Sequence, residues 1–175
     1  MKKKPGRRSI RVKDFDYSES GEYFVTICTK NKKSWFGTVR DSFMVLNDVG
    51  KIVNKCWQEI PLHFPNVELD DYVIMPNHIH GIISIVDNQS VGAENFLPLR
   101  CNRYQKIIPR SLGCIIKGFK IGVTKWCRTN NREKFHWQRS YYEHIVRNKK
   151  DLERIRKYIL DNPYYWFCDQ NNPNF

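Results

Sequence analysis

The hydrophobic pattern changes period several times along the chain. "EYFVTICT" (22–29) is dense in β-branched and aromatic residues and predicts a buried strand. After the basic turn "KNKKSW", Val49, Ile52, Val53, Cys56, Trp57 and Ile60 recur at helical spacing, and Asn47 stands where a cap belongs. "VELDDYVIM" (67–75) and "HIHGIISIV" (78–86) predict two more strands, joined by the turn pair Pro76-Asn77. Residues 87–108 are polar and irregular. From Pro109 a second helix is predicted, with Leu112, Ile115, Ile116, Phe119, Val123, Trp126 and Cys127 on one side. "YYEHIVR" (141–147) alternates as a strand, and a last helix from about Asp151 to Asn162 is stopped by Pro163.

The order is β-α-β-β-α-β followed by a helix. It predicts an α+β, ferredoxin-like fold, a four-stranded antiparallel sheet with two helices on one face. That fold hosts many functions and selects none. The expected organisation is a basic arm at 1–14, a single domain at 15–166 and a tail at 167–175.

Charge narrows the class of partner. The 175 residues carry a formal charge of +12, with aromatic residues at 14%. Such an excess favours a polyanion, nucleic acid before an anionic membrane. Residues 1–14 hold seven Lys or Arg, among them Lys2, Lys3, Lys4, Arg7, Arg8 and Arg11. They serve either as a solvated arm or as a strand laid on a phosphate backbone. Lys30, Lys32 and Lys33 form a second basic group, again either a solvated turn or a contact. Arg110, Lys117 and Arg128 lie opposite the apolar side of the second helix, with Lys120 at its flank. No apolar segment follows the basic N-terminus, and no run reaches the roughly 18 residues of a membrane span. The six cysteines form no CxxC pair. They read as reduced core residues of a cytoplasmic protein.

Two sites carry candidate chemistry. His78 and His80 lie two apart on a strand and therefore share a face, with Ile79, Ile83 and Ile85 on the other. Such a pair is either two ordinary buried imidazoles or two ligands of one metal ion. On the last helix, Leu152, Ile155 and Ile159 form the apolar stripe, and Tyr158 and Asn162 share a face beside it. They are either a core tyrosine and a helix-end residue, or a nucleophile and a metal ligand presented together. Tyr141, Tyr142, Tyr164 and Tyr165 are rival tyrosines, and Glu143 and His144 are candidate supporting groups around a metal.

Four stretches resemble one family. They are "RRSIRVKDFDYSESGEYFVTICTKNKKSWFG" (7–37), "MPNHIHGII" (75–83), "FHWQRSYYEHIVRNKKDLERIRKYILDNP" (135–163) and the helix between the last two. Together they resemble the REP-associated tyrosine transposases, a branch of the single-tyrosine HUH transposases of insertion sequences. By position, the resemblance makes His78 and His80 the HUH pair, Tyr158 the nucleophile on the C-terminal helix and Asn162 the third metal ligand. Better-understood relatives place Gln at that third position and are dimers with exchanged helices. Asn162 fits the REP-associated branch, which implies a monomer, with a dimer as the alternative.

The resemblance implies a metal-dependent endonuclease and strand transferase acting on single-stranded or hairpin DNA. His78, His80 and Asn162 would hold Mg²⁺ or Mn²⁺. Tyr158 would attack phosphorus and form a 5′-phosphotyrosine, releasing a 3′-OH. Its proton would pass to a metal-bound water or to His144. Exposed aromatic side chains would stack on unpaired bases while Lys and Arg follow the backbone. A protein that binds nucleic acid on the same fold without cutting it is the alternative. A ferredoxin-like RNA-binding domain would carry aromatics in the RNP pattern, which is not found.

Overall fold

The structure, a computed structural model, describes residues 18–86 and 110–173. The strands are β1 (Gly21–Cys28), β2 (Gly37–Arg40), β3 (Phe43–Leu46), β4 (Val67–Ile74), β5 (His78–Ile85) and β6 (Tyr142–Ile145). The helices are α1 (Asp48–Gln58), α2 (Ile60–His63), α3 (Leu112–Thr129) and α4 (Lys149–Asp161). The main sheet runs β4-β5-β1-β6, and every pairing in it is antiparallel. The expected α+β, ferredoxin-like arrangement is therefore present: β1 and β4 run parallel with β5 between them, as a split βαβ unit requires.

The period-2 pattern of the central strands sorts two cores. Tyr23, Val25 and Ile27 of β1 and Ile79, Ile83 and Ile85 of β5 face α1 and α3. There they pack with Val53, Trp57, Ile115, Phe119 and Val123 in the main core. Phe24 and Ile82 face the other way and meet Ile155 and Ile159 of α4 in a small second cluster. The described residues thus form three layers, with α4 and the turn that follows it on the second face of the sheet. That face is the one that His78 and His80 share.

Local chemistry sets the element ends. Asn47 caps α1, its side chain accepting from the Gly50 amide at 3.0 Å. The helical pattern reaches Ile60, yet α1 ends at Gln58 and a short turn of helix takes over. Pro61 has no N–H to continue the ladder. Ser111, rather than Pro109, caps α3, its side chain accepting from the Cys114 amide. Asn148 caps α4 in the same way through the Asp151 amide at 3.0 Å, so that helix begins two residues before Asp151. The β2–β3 hairpin is not announced by the hydrophobic pattern. Its strands are four residues each, its turn residues Asp41 and Ser42 take positive φ without glycine, and Phe43 is largely exposed.

Gly81 is where α1 and the sheet come closest. A Cβ there would run into the Trp57 ring and approach the Tyr72 Cβ. Trp57 is fully buried, so it has nowhere to move. Gly81→Ala is expected to destabilise the protein by roughly 1–3 kcal/mol through overpacking. Urea denaturation would show this as a lowered midpoint, and an unchanged midpoint would contradict the packing described. Among the described residues, no helix is long and apolar enough to cross a membrane. Cys28, Cys56, Cys127 and Cys168 are free thiols there.

Candidate metal centre and its tyrosine

The histidines come to the site through strand register. β5 is an inner strand, so His78 and His80 are covered on both sides, and both are buried. Their Nε2 atoms face one another at 3.0 Å. Each Nδ1 has its own partner. Asn77 donates its amide protons to the Lys32 and Asn171 carbonyls, each at 2.7 Å, which turns its Oδ1 toward His78 Nδ1 at 2.7 Å. His78 Nδ1 must then carry the hydrogen, leaving a lone pair on Nε2. His80 Nδ1 meets the Thr26 hydroxyl at 2.9 Å, across the β1–β5 ladder. A hydroxyl both donates and accepts, so Thr26 suits either tautomer of His80. Burial pushes the proton affinity of both rings down, that of His80 to a pKa of about 3. The neighbouring ring and the Lys32 ammonium lower His78 further. Neutral imidazoles with oriented Nε2 atoms are what a metal ion needs from histidine.

α4 brings the tyrosine over this pair. Its stripe of Ile155 and Ile159 sits on Phe24 and Ile82. That places the Tyr158 hydroxyl 3.2 Å from His80 Nε2. Phe24 braces both rings, stacked on His80 at 5.5 Å between centroids and edge-on to Tyr158 at 6.1 Å. The phenol remains 44% exposed, so a large substrate can reach it. Partial burial raises its pKa above the ordinary value, and the Asp169 charge raises it further. A hydrogen bond with the Asn162 side chain works in the other direction. Asn162 lies one turn on at the helix end and is buried, yet its Oδ1 accepts no hydrogen bond among the described residues. An orphaned buried acceptor one turn beyond Tyr158 is a candidate ligand atom.

Asp169 completes the cluster, and the sequence pattern missed it. After α4 the chain turns through Trp166–Cys168 and comes back over the histidines. Trp166 is buried against His78, with ring centroids 6.1 Å apart. Asp169 Oδ2 lies 3.8 Å from His78 Nε2 and has no hydrogen-bond partner. Its other oxygen accepts from the Asn171 amide at 2.6 Å. One ligand atom each from His78, His80 and Asp169 lie within 4.8 Å of one another. The segment is tied down from outside, by Lys32 Nζ donating to the Gln170 carbonyl at 2.6 Å and by Asn77. No periodicity marks "WFCDQNNPNF". The signal there is Trp166-Phe167 followed by Cys168 and a polar run, which also describes an ordinary tail. Two imidazole nitrogens, a carboxylate oxygen and an amide oxygen suit a divalent cation such as Mn²⁺ or Mg²⁺.

The other named residues fall elsewhere. Glu143 pairs with Val25, whose side chain is in the main core, so it belongs to the face away from the histidines. His144 pairs with Phe24 on the α4 face, but its Nε2 is held by Asp151 at 2.7 Å. Lys30 is exposed in the turn, Lys32 is used as described, and Lys33 lies over the Trp35 ring at 5.3 Å. Lys120 turns inward. It donates to the Gln138 and Ser140 carbonyls and sits 5.9 Å from the Trp137 and Tyr141 ring centroids, and burial pulls its pKa down to about 8. Arg110 is exposed and Lys117 half-buried. Lys2, Lys3, Lys4, Arg7, Arg8 and Arg11 lie outside the described residues.

Known proteins can now be set beside this geometry. The fold is that of a REP-associated tyrosine transposase solved bound to a REP hairpin. The TM-score is 0.59 at 19% identity, over 89% of this chain and 73% of that one. In sequence, the chain belongs to one family with an uncharacterized protein of Haemophilus influenzae, to which it is 46% identical over 94% of its length and 92% of the relative's. A more distant relative in the same organism, 25% identical over 85% of this chain and 73% of its own, is a candidate REP-associated tyrosine transposase. No family model matches the chain.

Proposed function

We propose that this protein is a metal-dependent endonuclease and strand transferase for single-stranded or hairpin DNA. Tyr158 is its nucleophile. One observation carries the reading: an accessible phenol stands 3.2 Å from a buried imidazole nitrogen, beside two buried oxygens that nothing in the described protein engages. A core tyrosine would not need orphaned acceptors around it, because leaving such groups unpaired costs about 1–3 kcal/mol each.

His78 Nε2, His80 Nε2, Asn162 Oδ1 and Asp169 Oδ2 are the atoms that would hold the cation. When bound there, a divalent ion would supply Lewis acidity to a phosphate oxygen and would offset charge in the transition state. The chain's own residues do the rest. Asn77 and Thr26 fix the two rings. α4 holds the Tyr158 oxygen at the edge of the cluster, open to solvent on one side. That oxygen bonds to phosphorus while the bond from phosphorus to the 3′ oxygen breaks. The phenol proton is lost and the departing oxygen is protonated, so one strand leaves as a 3′-OH and the other stays as a 5′-phosphotyrosine. Attack by another 3′-OH reverses the step without ATP.

The partner is inferred from charge, exposure and kinship. The net charge is +12, a relative of the same fold was solved on a REP hairpin, and Tyr164, Tyr165 and Phe167 stand exposed just beyond α4. Exposed rings of this kind stack on unpaired bases. Incubating the protein with labelled hairpin DNA and Mn²⁺ or Mg²⁺, then denaturing, is expected to leave label on the protein. Tight binding with no adduct under either metal would favour a non-catalytic binding protein instead.

Asp169 has a separate expectation. Asp169→Ala removes one donor and should lower Mn²⁺ affinity at least about tenfold, the scale seen when groups around a metal are lost. Titration calorimetry measures this, and an unchanged affinity would take Asp169 out of the donor set.

A further inference from the structure

α4 is a lightly held helix with a demanding position. Its buried residues are Ile155 and Ile159; among the described residues the small buried cluster they join adds Phe24 and Ile82, with Val73, Val146 and Leu152 partly buried against it. Apolar contact of that size resists separation, but it does not select one axial register. A slip of one residue would move Tyr158 about 1.5 Å along the axis and turn it about 100° away from His80.

A hydrogen bond and an ion pair supply what the apolar cluster lacks, and they sit at opposite edges of the sheet. At the β6 edge, Asp151 in the first turn of α4 takes His144 Nε2 at 2.7 Å. At the β4 edge, Arg156 grips Asp70 with both ends of its fork, Nη2 to Oδ2 at 2.6 Å and Nε to both oxygens at 3.2 Å. Asp70 follows Leu69, which packs on the main core, so strand alternation turns Asp70 to the α4 face. Leu69 pairs with Ile83 and Tyr72 with Gly81, so Asp70 and Asp71 together oppose Ile82 alone. That is a β-bulge, whose extra residue brings Tyr72 back to the core side. A bidentate Arg–carboxylate pair fixes orientation as well as distance.

We infer that the Asp70–Arg156 pair, working across the sheet from His144–Asp151, is a positioning device that sets Tyr158 over the histidines of its own chain. The inference rests on the functional reading above and deepens it. The helix rests on Phe24 of β1 and Ile82 of β5 through Ile155 and Ile159, and Tyr158 lies two residues beyond Arg156. The pair therefore fixes both rotation and advance at the point where the phenol meets the cluster.

The test separates position from fold and from function. Asp70→Asn and Arg156→Gln are close in shape to the native side chains and lie at the surface. Each is expected to slow single-turnover adduct formation about 10–100-fold, the scale of a misplacement near 1 Å. Affinity for Mn²⁺ and for hairpin DNA should stay within about twofold, because neither residue is a ligand and the Arg156 charge is already matched by Asp70. The exchanged pair Asp70→Arg with Arg156→Asp should recover most of the rate. A second readout needs no catalysis: nuclear Overhauser contacts between the Tyr158 and Phe24 rings should weaken in the single variants and return in the exchanged pair. An unchanged rate with intact ring contacts overturns the proposal, as does a rate loss that the exchanged pair leaves unrepaired. Should the native chain form no adduct, the functional reading falls, and the ring contacts alone decide whether the pair positions Tyr158.

Discussion

Tyr158→Phe is expected to form no covalent adduct with hairpin DNA, a loss of at least about 10³-fold set by the detection limit of the gel. The variant is a narrow test because it removes one oxygen and leaves the ring. Phe at 158 keeps the edge-on contact with Phe24 and the packing of α4, while the hydroxyl it loses bonds an otherwise paired His80. Stability should change by less than about 0.5 kcal/mol, as for most substitutions at partly exposed sites. Hairpin affinity should also hold, since Lys and Arg supply the phosphate contacts. Retention of the adduct would move the nucleophile to another tyrosine. Tyr164 and Tyr165 are the exposed rivals just beyond the helix, and Tyr142 on β6 is the third.

The second large effect concerns the histidines. His78→Ala combined with His80→Ala should abolish Mn²⁺ binding and reduce cleavage by at least about 10³-fold, since both nitrogens of the proposed cation site are gone. DNA affinity should fall no more than a few-fold, about what is expected when no phosphate-contacting cation is removed. This double variant also leaves Asn77 Oδ1 and the Thr26 hydroxyl without their ring partners and opens a cavity beneath α4. A stability loss of about 2–5 kcal/mol is expected, as for other buried truncations. His80→Gln is therefore the companion variant. It retains a polar chain toward Thr26 and should lose metal affinity with a smaller fall in melting temperature. Calorimetry with Mn²⁺ and fluorescence anisotropy with a labelled hairpin measure the two affinities. Unchanged cleavage in the double variant would remove the metal site from the mechanism.

Much of this architecture is legible residue by residue. The alternation of β1 and β5 names the inner strands, and two residues of spacing put His78 and His80 on one face whatever the rest of the fold does. The spacing of Ile155 and Ile159 gives α4 its buried side, and four residues of spacing put Tyr158 and Asn162 together. Other elements escape such reading. The β2–β3 hairpin is too short for a period and turns without glycine. Lys120 looks like part of a helix's basic flank, yet two carbonyls and two aromatic rings draw its ammonium inward. Glu143 and His144 are neighbours in sequence on opposite faces of β6, so they cannot serve one centre together.

What the sequence by itself determined about this protein is which side chains share a face, because backbone geometry alone dictates periods of 2 and 3.6. Which faces meet was decided only in three dimensions. His80 and Tyr158 are 78 residues apart, and Arg156 and Asp70 are 86 apart. Asp169 reaches the histidines by a turn that leaves no periodic trace. Contacts of this kind depend on how separate elements pack around a common core, and local spacing carries no record of them.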